Sequence, residues 1–303
     1  MNVIPLPASL DERSFEQVAR AADSSAANAD ERTLFDATHV RWVDPYGMVG
    51  LLCIGSTAQR NGERPLLKLP DSPEVVSYLT RMHFFPHAER TFELSGAPQR
   101  RGGHEAGSDV LLEVTPINSH QDVHAVVDLV NERGIAILTK QLHYPLREAF
   151  QFSVILSEVC QNIIEHAEAP GWVATQTYTW TKKLGGRRVV VIAVMDLGIG
   201  FRKSLASTHA TRYPEGGWTD AAALESAFMH GQTRHHDPGR GQGLQQIRKL
   251  VARWGGRVSV RSGTARIADI PAWDENGRTL ETGLPYLPGA QIGIILPARD
   301  TEA

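Results

Sequence analysis

Ser157-Glu158-Val159-Cys160-Gln161-Asn162-Ile163-Ile164-Glu165-His166-Ala167 is the stretch on which the reading of this chain turns. Phe152, Ile155, Val159 and Ile163 fall at helical spacing and predict a core-facing stripe on a helix over 146–167. Glu158, Asn162 and His166 are four apart, so they form a second strip along the same helix. A carboxylate and a carboxamide one turn apart can divide two tasks. The carboxylate orients or deprotonates an attacking oxygen. The carboxamide oxygen is a hard ligand of the kind Mg²⁺ takes alongside waters and phosphates. A solvated polar face explains the same spacing, so this stretch needs others beside it before it carries a function.

Two further stretches supply them. Asp196-Leu197-Gly198-Ile199-Gly200 ends a run, Val189 to Met195, that is apolar at every position and reads as a central strand. A carboxylate there can accept a hydrogen bond from an exocyclic amine such as that of adenine. Gly198 and Gly200 let backbone approach a flat ring where a Cβ would clash. A tight turn after a buried strand is the plainer alternative. Gly239-Arg240-Gly241-Gln242-Gly243-Leu244 leads into a helix over 243–254, with Leu244, Ile247, Val251 and Trp254 as its apolar stripe. Bare amides before a helix start form an anion site suited to a polyphosphate. A flexible hinge is the alternative there. G-x-x-x-x-G-K-[ST] is absent from the chain, and Leu244 stands where G-x-G-x-x-G needs its third glycine.

Working outward, strands are expected at 33–35, 65–69, 110–114, 173–181, 188–195, 258–261 and 292–296. Helices are expected at 46–60, with Gly62 as its cap, from Glu74 to Met82, and from Val123 towards Lys140. The segment 201–240 reads as irregular. Residues 96–107, rich in Gly, Arg, Ala and Pro, read as a linker. Helices gathered on a mixed sheet give an α/β class, an α+β sandwich. The 303 residues suggest two domains. A formal net charge of −3 argues against a nucleic-acid surface. No run of about 18 apolar residues predicts a membrane span, and the N-terminus does not read as a signal peptide. Cys53 and Cys160 fit buried, reduced thiols in a cytoplasmic protein.

Glu158/Asn162, Asp196-x-Gly198-x-Gly200 and Gly239-x-Gly241-x-Gly243-Leu244 resemble, in order and rough separation, the three boxes of GHKL ATPases, the histidine-kinase-like ATPases. The likeness covers about residues 115–297, within a C-terminal domain set at 109–303. Glu158-x-x-x-Asn162-x-x-x-His166-Ala167 is most similar to the anti-sigma-factor serine kinases. The resemblance implies ATP and Mg²⁺ as cofactors. It implies Glu158 as general base, Asn162 as the Mg²⁺ ligand, and Asp196 on the adenine amine beside Gly198 and Gly200. It further implies Gly239, Arg240, Gly241, Gly243 and Leu244 around the phosphates, His166 near the nucleotide, and 201–238 as a lid. The sequence departs from the family where Gly289-Ala290 replaces the usual Gly-Thr. His230, His235 and His236 in the lid lack tight metal-ligand spacing.

Residues 1–95 are similar to a STAS domain, through Leu34 to Thr38, Val43-Asp44-Pro45-Tyr46-Gly47 and the apolar helix that follows. Pro45-Tyr46 replaces the phosphorylatable Ser/Thr of that family's turn, which implies a fixed docking or dimerising module. Residues 96–108 join the two parts. The resemblances together imply a nucleotide-dependent regulator with a protein partner. Phosphorylation of a partner Ser or Thr, an ATPase switch and a non-hydrolysing ATP-binding module stay open. A histidine kinase is the least favoured, because His120, His124 and His143 carry no recognisable acceptor motif. A homodimer stays open too.

Overall fold

The computed structural model describes residues 1–26, 31–59, 62–96, 110–129, 132, 134–163, 169–232 and 243–299. The first part runs β1 (Asn2–Pro5), β2 (Ser9–Leu10), α1 (Glu12–Ala26), β3 (Thr33–Asp36), β4 (Trp42–Val43), α2 (Pro45–Thr57), β5 (Leu66–Lys68), α3 (Pro73–Arg81), α4 (Phe84–Thr91) and β6 (Glu93–Ser95). β1, β3, β5 and β6 pair in that order as a parallel sheet. Each return to the same edge-on-edge direction requires a crossover, and the helices supply it.

Local chemistry sets the helix starts. The Asp44 side chain accepts from Gly47 N at 2.8 Å, and Pro45 fills the first turn, where its missing N–H costs nothing. Ser72 does the same for α3, ahead of Pro73. Helix α2 ends earlier than expected. Ala58 is its cap, with its N–H returned to Ile54 and Gly55, so Gly62 lies beyond the helix. Helix α1 is absent from the sequence reading, although Phe15, Val18 and Ala19 give it a buried stripe.

The second part runs β7 (Val110–Ile117), α5 (His120–Leu129), α6 (Ile135–Lys140), α7 (Leu146–Asn162), β8 (Gly171–Trp180), α8 (Thr181–Leu184), β9 (Arg187–Asp196), α9 (Gly200–His209), α10 (Asp220–Phe228), α11 (Gly243–Arg253), β10 (Arg257–Asp269) and β11 (Leu280–Pro297). Its sheet has the order β10-β11-β9-β8-β7, and its described pairings are antiparallel. Parallel and antiparallel pairing therefore occur in separate sheets of one α/β molecule. The segment expected to be irregular from residue 201 instead carries α9 and α10. Thr219 caps α10, accepting from Ala222 N, and Ala223, Leu224, Ala227 and Phe228 bury one side of it. The expected linker at 96–107 falls almost wholly outside the described residues. No described helix is long and apolar enough to cross a membrane.

Strand β9 shows how the two parts join. Val190, Ile192 and Val194 enter a core made with α5, α6, α7, α10 and α11. Ala193 and Met195, on the opposite face, enter a core shared with the N-terminal part, together with Trp172, Ala174 and Leu287. The period of two in a strand assigns these residues to opposite faces. Helix α2 lies across β8 and β9, and Gly293 leaves room for Tyr46, whose Cδ2 would stand 2.9 Å from a Cβ there. The Tyr78 and Tyr178 hydroxyls meet at 2.6 Å, and Val114 N donates to Met82 O at 2.9 Å.

Charges are buried in the same interface. Arg257 on β10 bonds both oxygens of Glu12 on α1, with Nη2 to Oε1 at 2.8 Å, and its Nε lies 3.0 Å from Asp274. Burial alone would raise the Glu12 carboxyl. The Arg257 guanidinium, with Arg266 behind it, outweighs burial and holds Glu12 below the ordinary 4.5. A depressed carboxylate stabilises the fold above its unfolded value and loses that contribution as pH falls through the folded one.

Glu12→Ala leaves Arg257 buried beside a missing partner, so denaturant unfolding at pH 7 should show a loss of about 3 kcal/mol. The gap between variant and wild type should close as the pH is lowered below about 4. A gap that stays constant with pH would show that the pair contributes nothing through its charge.

Candidate functional site

Asp196 is the last residue of β9 and is 7% exposed. Its carboxylate accepts from Gly198 N at 2.8 Å and from the Ala290 amide. Burial pushes the group up to about 6, against the pull of these two amides. A carboxylate held by two backbone donors is fixed in place and still has lone pairs for a third donor.

Glycines surround it. A Cβ on Gly289 would stand 2.1 Å from Asp196 O and 2.4 Å from its Oδ1, and the residue has φ +77°. Only glycine meets both demands. Gly200, at φ +69°, would place a Cβ 2.7 Å from Ser262 Oγ. That hydroxyl donates to Gly289 O at 2.7 Å and accepts from Phe201 N at 3.1 Å. One serine thus ties the first turn of α9 to the β10–β11 ladder beside Asp196.

Glu158 stands on α7, one turn before Asn162, which is the last residue of that helix. Partial burial pushes the Glu158 carboxyl above the ordinary range. A Cβ on Gly243, the first residue of α11, would lie 2.9 Å from Glu158 Oε2. Gly243 therefore stands at the expected carboxylate, and glycine is the residue that fits between α7 and α11. Leu244, Ile247, Val251 and Trp254 are buried as the stripe predicted.

The structure thus brings Glu158 to Gly243, and Asp196 to Gly198 and the strand bearing Gly289. Gly239, Arg240, Gly241 and His166 lie outside the described residues, as do His235 and His236. Among the described residues no group of three His, Cys, Asp or Glu side chains could hold a metal. Cys53 and Cys160 are buried and free, with burial pushing the Cys160 thiol up to about 12.

Four site residues escaped the sequence reading in whole or part: Ser262, Gly289, Ala290 through its amide, and Gln291. One signal was present. Gln291 opens an otherwise apolar run, Ile292 to Pro297, and a fully buried amide side chain needs partners.

Residues 149–285 match the family model for histidine kinase-, DNA gyrase B-, and HSP90-like ATPases. The match begins on α7 and spans Glu158, Asp196 and Gly243. A search of curated proteins gives no significant match.

Asp196 has its folded value raised from 3.8 to about 6, so its contribution to stability is complete below 3.8 and is lost as pH rises through about 6. The stability of wild type relative to Asp196→Asn should therefore fall by about 3 kcal/mol between pH 3.5 and pH 7. Parallel pH profiles for the two proteins would refute the raised value.

Proposed function

We propose, on the premise that residues 149–285 form a histidine kinase-, DNA gyrase B- and HSP90-like ATPase domain, that this chain is a Mg-ATP-dependent regulatory protein. The observation that carries the reading is the Asp196 carboxylate, buried, clasped by two amides and flanked by Gly289, where no side chain could intrude. That arrangement suits a flat base presenting an exocyclic amine. The triphosphate is assigned to Gly239, Arg240, Gly241 and Gly243, as the sequence resemblance implies, since bare glycine amides ahead of a helix suit an anion. Gly243 against Glu158 sets the reacting end beside a carboxylate.

Mg²⁺ fits the chemistry of the residues on α7. Asn162 offers a neutral hard oxygen, and phosphate and water complete such a shell. When bound, the ion neutralises phosphate charge and orients the terminal group. Glu158 orients the attacking oxygen or takes its proton, and its raised pKa makes it a stronger base than an exposed glutamate. His166 is assigned to the same end of the site.

Residues 1–95 are read as a STAS-like module, 96–108 as its connection, and 109–303 as the ATPase part. Tyr46 supports a fixed module. It is 1% exposed, packs edge-on against Phe15 at 5.3 Å, and its hydroxyl makes no hydrogen bond among the described residues. A kinase could not reach it without parting the module from the sheet. Transfer to a partner's Ser or Thr, in the manner of anti-sigma-factor kinases, is the activity favoured by Glu158-x-x-x-Asn162-x-x-x-His166-Ala167. An ATP-gated switch is the second reading, favoured by the core that the module shares with β8 and β9. A histidine kinase fits less well, since α5, which carries His120 and His124, packs on α7 within the ATPase layer.

Glu158→Ala should cut phosphate release from Mg-ATP by about 10²–10⁴-fold while ATP affinity changes only a few-fold. Label passed to a second protein marks the kinase, and acid-labile self-label the histidine kinase. Tight binding with no turnover in wild type leaves a binding module. Absence of ATP binding at millimolar concentration overturns the proposal.

A further inference from the structure

Fully buried arginine and glutamine side chains lie between helix α1 and the candidate adenine-binding carboxylate. Arg261 on β10 and Gln291 on β11 are cross-strand partners, and both are 0% exposed. Arg261 Nε donates to Glu16 Oε1 at 2.8 Å, and Nη2 reaches Glu16 Oε2 at 3.4 Å. Glu16 belongs to α1, and Phe15, the residue before it, lies beneath the guanidinium at 5.8 Å. Arg261 Nη1 donates to Gln291 Oε1 at 3.4 Å and to Gly263 O at 3.2 Å. Arg261 Nη2 also donates to Pro285 O. Gln291 Nε2 then donates to Asp196 O at 3.3 Å and to Pro288 O at 2.8 Å.

Every link in this line is directional. The guanidinium fork is rigid, so two carboxylate oxygens on α1 fix its plane. Its Nη1 fixes which way round the Gln291 amide sits, because only Oε1 can accept. That leaves Nε2 to hold the Asp196 carbonyl. Gln291 is also the neighbour of Ala290, whose amide holds the Asp196 carboxylate. Main chain and side chain of Asp196 are thus anchored to one segment of β11, and that segment is anchored to the N-terminal part of the chain.

We propose that Glu16, Arg261 and Gln291 are positioning residues for Asp196, through which docking of the N-terminal part sets the affinity of the site for an adenine ring. The inference rests on the reading of Asp196 given above. By reciprocity, an adenine nucleotide in the site strengthens the hold of the sheet on α1. The relay acts on the base and not on the phosphates, because it ends at Asp196. A ligand without the exocyclic amine is therefore blind to it.

The test uses the full chain and two probes, ADP and inosine 5′-diphosphate, which differ at that amine. Calorimetry should show that wild type prefers ADP. Gln291→Leu, and independently the remote Glu16→Gln, should weaken ADP by about tenfold, in line with about one misplaced hydrogen bond. Both should leave inosine diphosphate within about twofold. A structural defect would weaken both probes alike, and that result overturns the proposal. Hydrogen exchange is the second readout and applies to whichever variant folds. ADP should slow exchange across α1 in wild type and not in the variant, and equal protection in both overturns it. Unchanged ADP affinity in both variants, with wild type binding normally, defeats the relay alone. Failure of wild type to bind either probe defeats the site reading and the relay with it.

Discussion

A strand that is apolar on both faces must be covered on both. Val189 to Met195 leave no polar face to turn to water, and each of these residues is buried. One cover is a layer of helices, which also carries Glu158 and the start of α11. The other is the N-terminal part over Ala193 and Met195, with α2 laid over β8 and β9, while Val189 and Val191 pack with Trp180 and Trp273. Removing the second cover would expose Trp172, Met195, Ala193 and Leu287 together, a contiguous apolar patch of the kind that single domains avoid. The two parts consequently share one buried apolar cluster, although their sheets are separate.

Apolar contact explains why the N-terminal part sits on this face but not why it sits in one orientation. The buried charges do that. Glu12 and Glu16, one turn apart on α1, meet Arg257 and Arg261, four residues apart along β10. A helix rises about 1.5 Å per residue and a strand about 3.3 Å, so four residues span about 6 Å on α1 and about 13 Å on β10, and the long arginine side chains close that difference only in a restricted alignment. Sliding or rotating α1 by a turn would leave two buried guanidinium groups without the carboxylates of α1, at several kcal/mol. Such pairs add little net stability compared with apolar packing, and their effect here is on uniqueness of docking.

Much of the C-terminal half was legible in advance because its signals are local. Helical spacing placed the stripe of α7 and that of α11. The continuous apolar run marked β9 as central, and the glycines announced where backbone comes close to Asp196. The reading failed where the deciding partner lies far along the chain. In β10, Arg257, Ser259 and Arg261 alternate with Val258 and Val260, a pattern that ordinarily means one wet face. The carboxylates that make that face dry lie 245 residues earlier. Nothing near residue 261 in sequence reveals them. Likewise α9 and α10 were missed because their stability comes from β10. Asp220 at the start of α10 accepts from Thr264 N and Oγ1, a long-range anchor with no local signature.

The substitution at Ala290 shows how a missing group can be offset by one on the next strand. The ATPases that the sequence resembles often have a threonine hydroxyl here, and this chain has a methyl. Yet Ser262 is the cross-strand partner of Ala290 and supplies a hydroxyl at the same level of the sheet. That hydroxyl is spent on backbone, joining Gly289 O to Phe201 N, so it does not simply replace the lost one. What it replaces is rigidity. The Ala290 amide holds the Asp196 carboxylate only if the Gly289 turn, at φ +77°, stays in place. Ser262 fixes the turn from the β10 side and Gln291 from within β11. The carboxylate is thus kept in register by hydrogen bonds to main chain, and its position depends on how firmly the surrounding backbone is held.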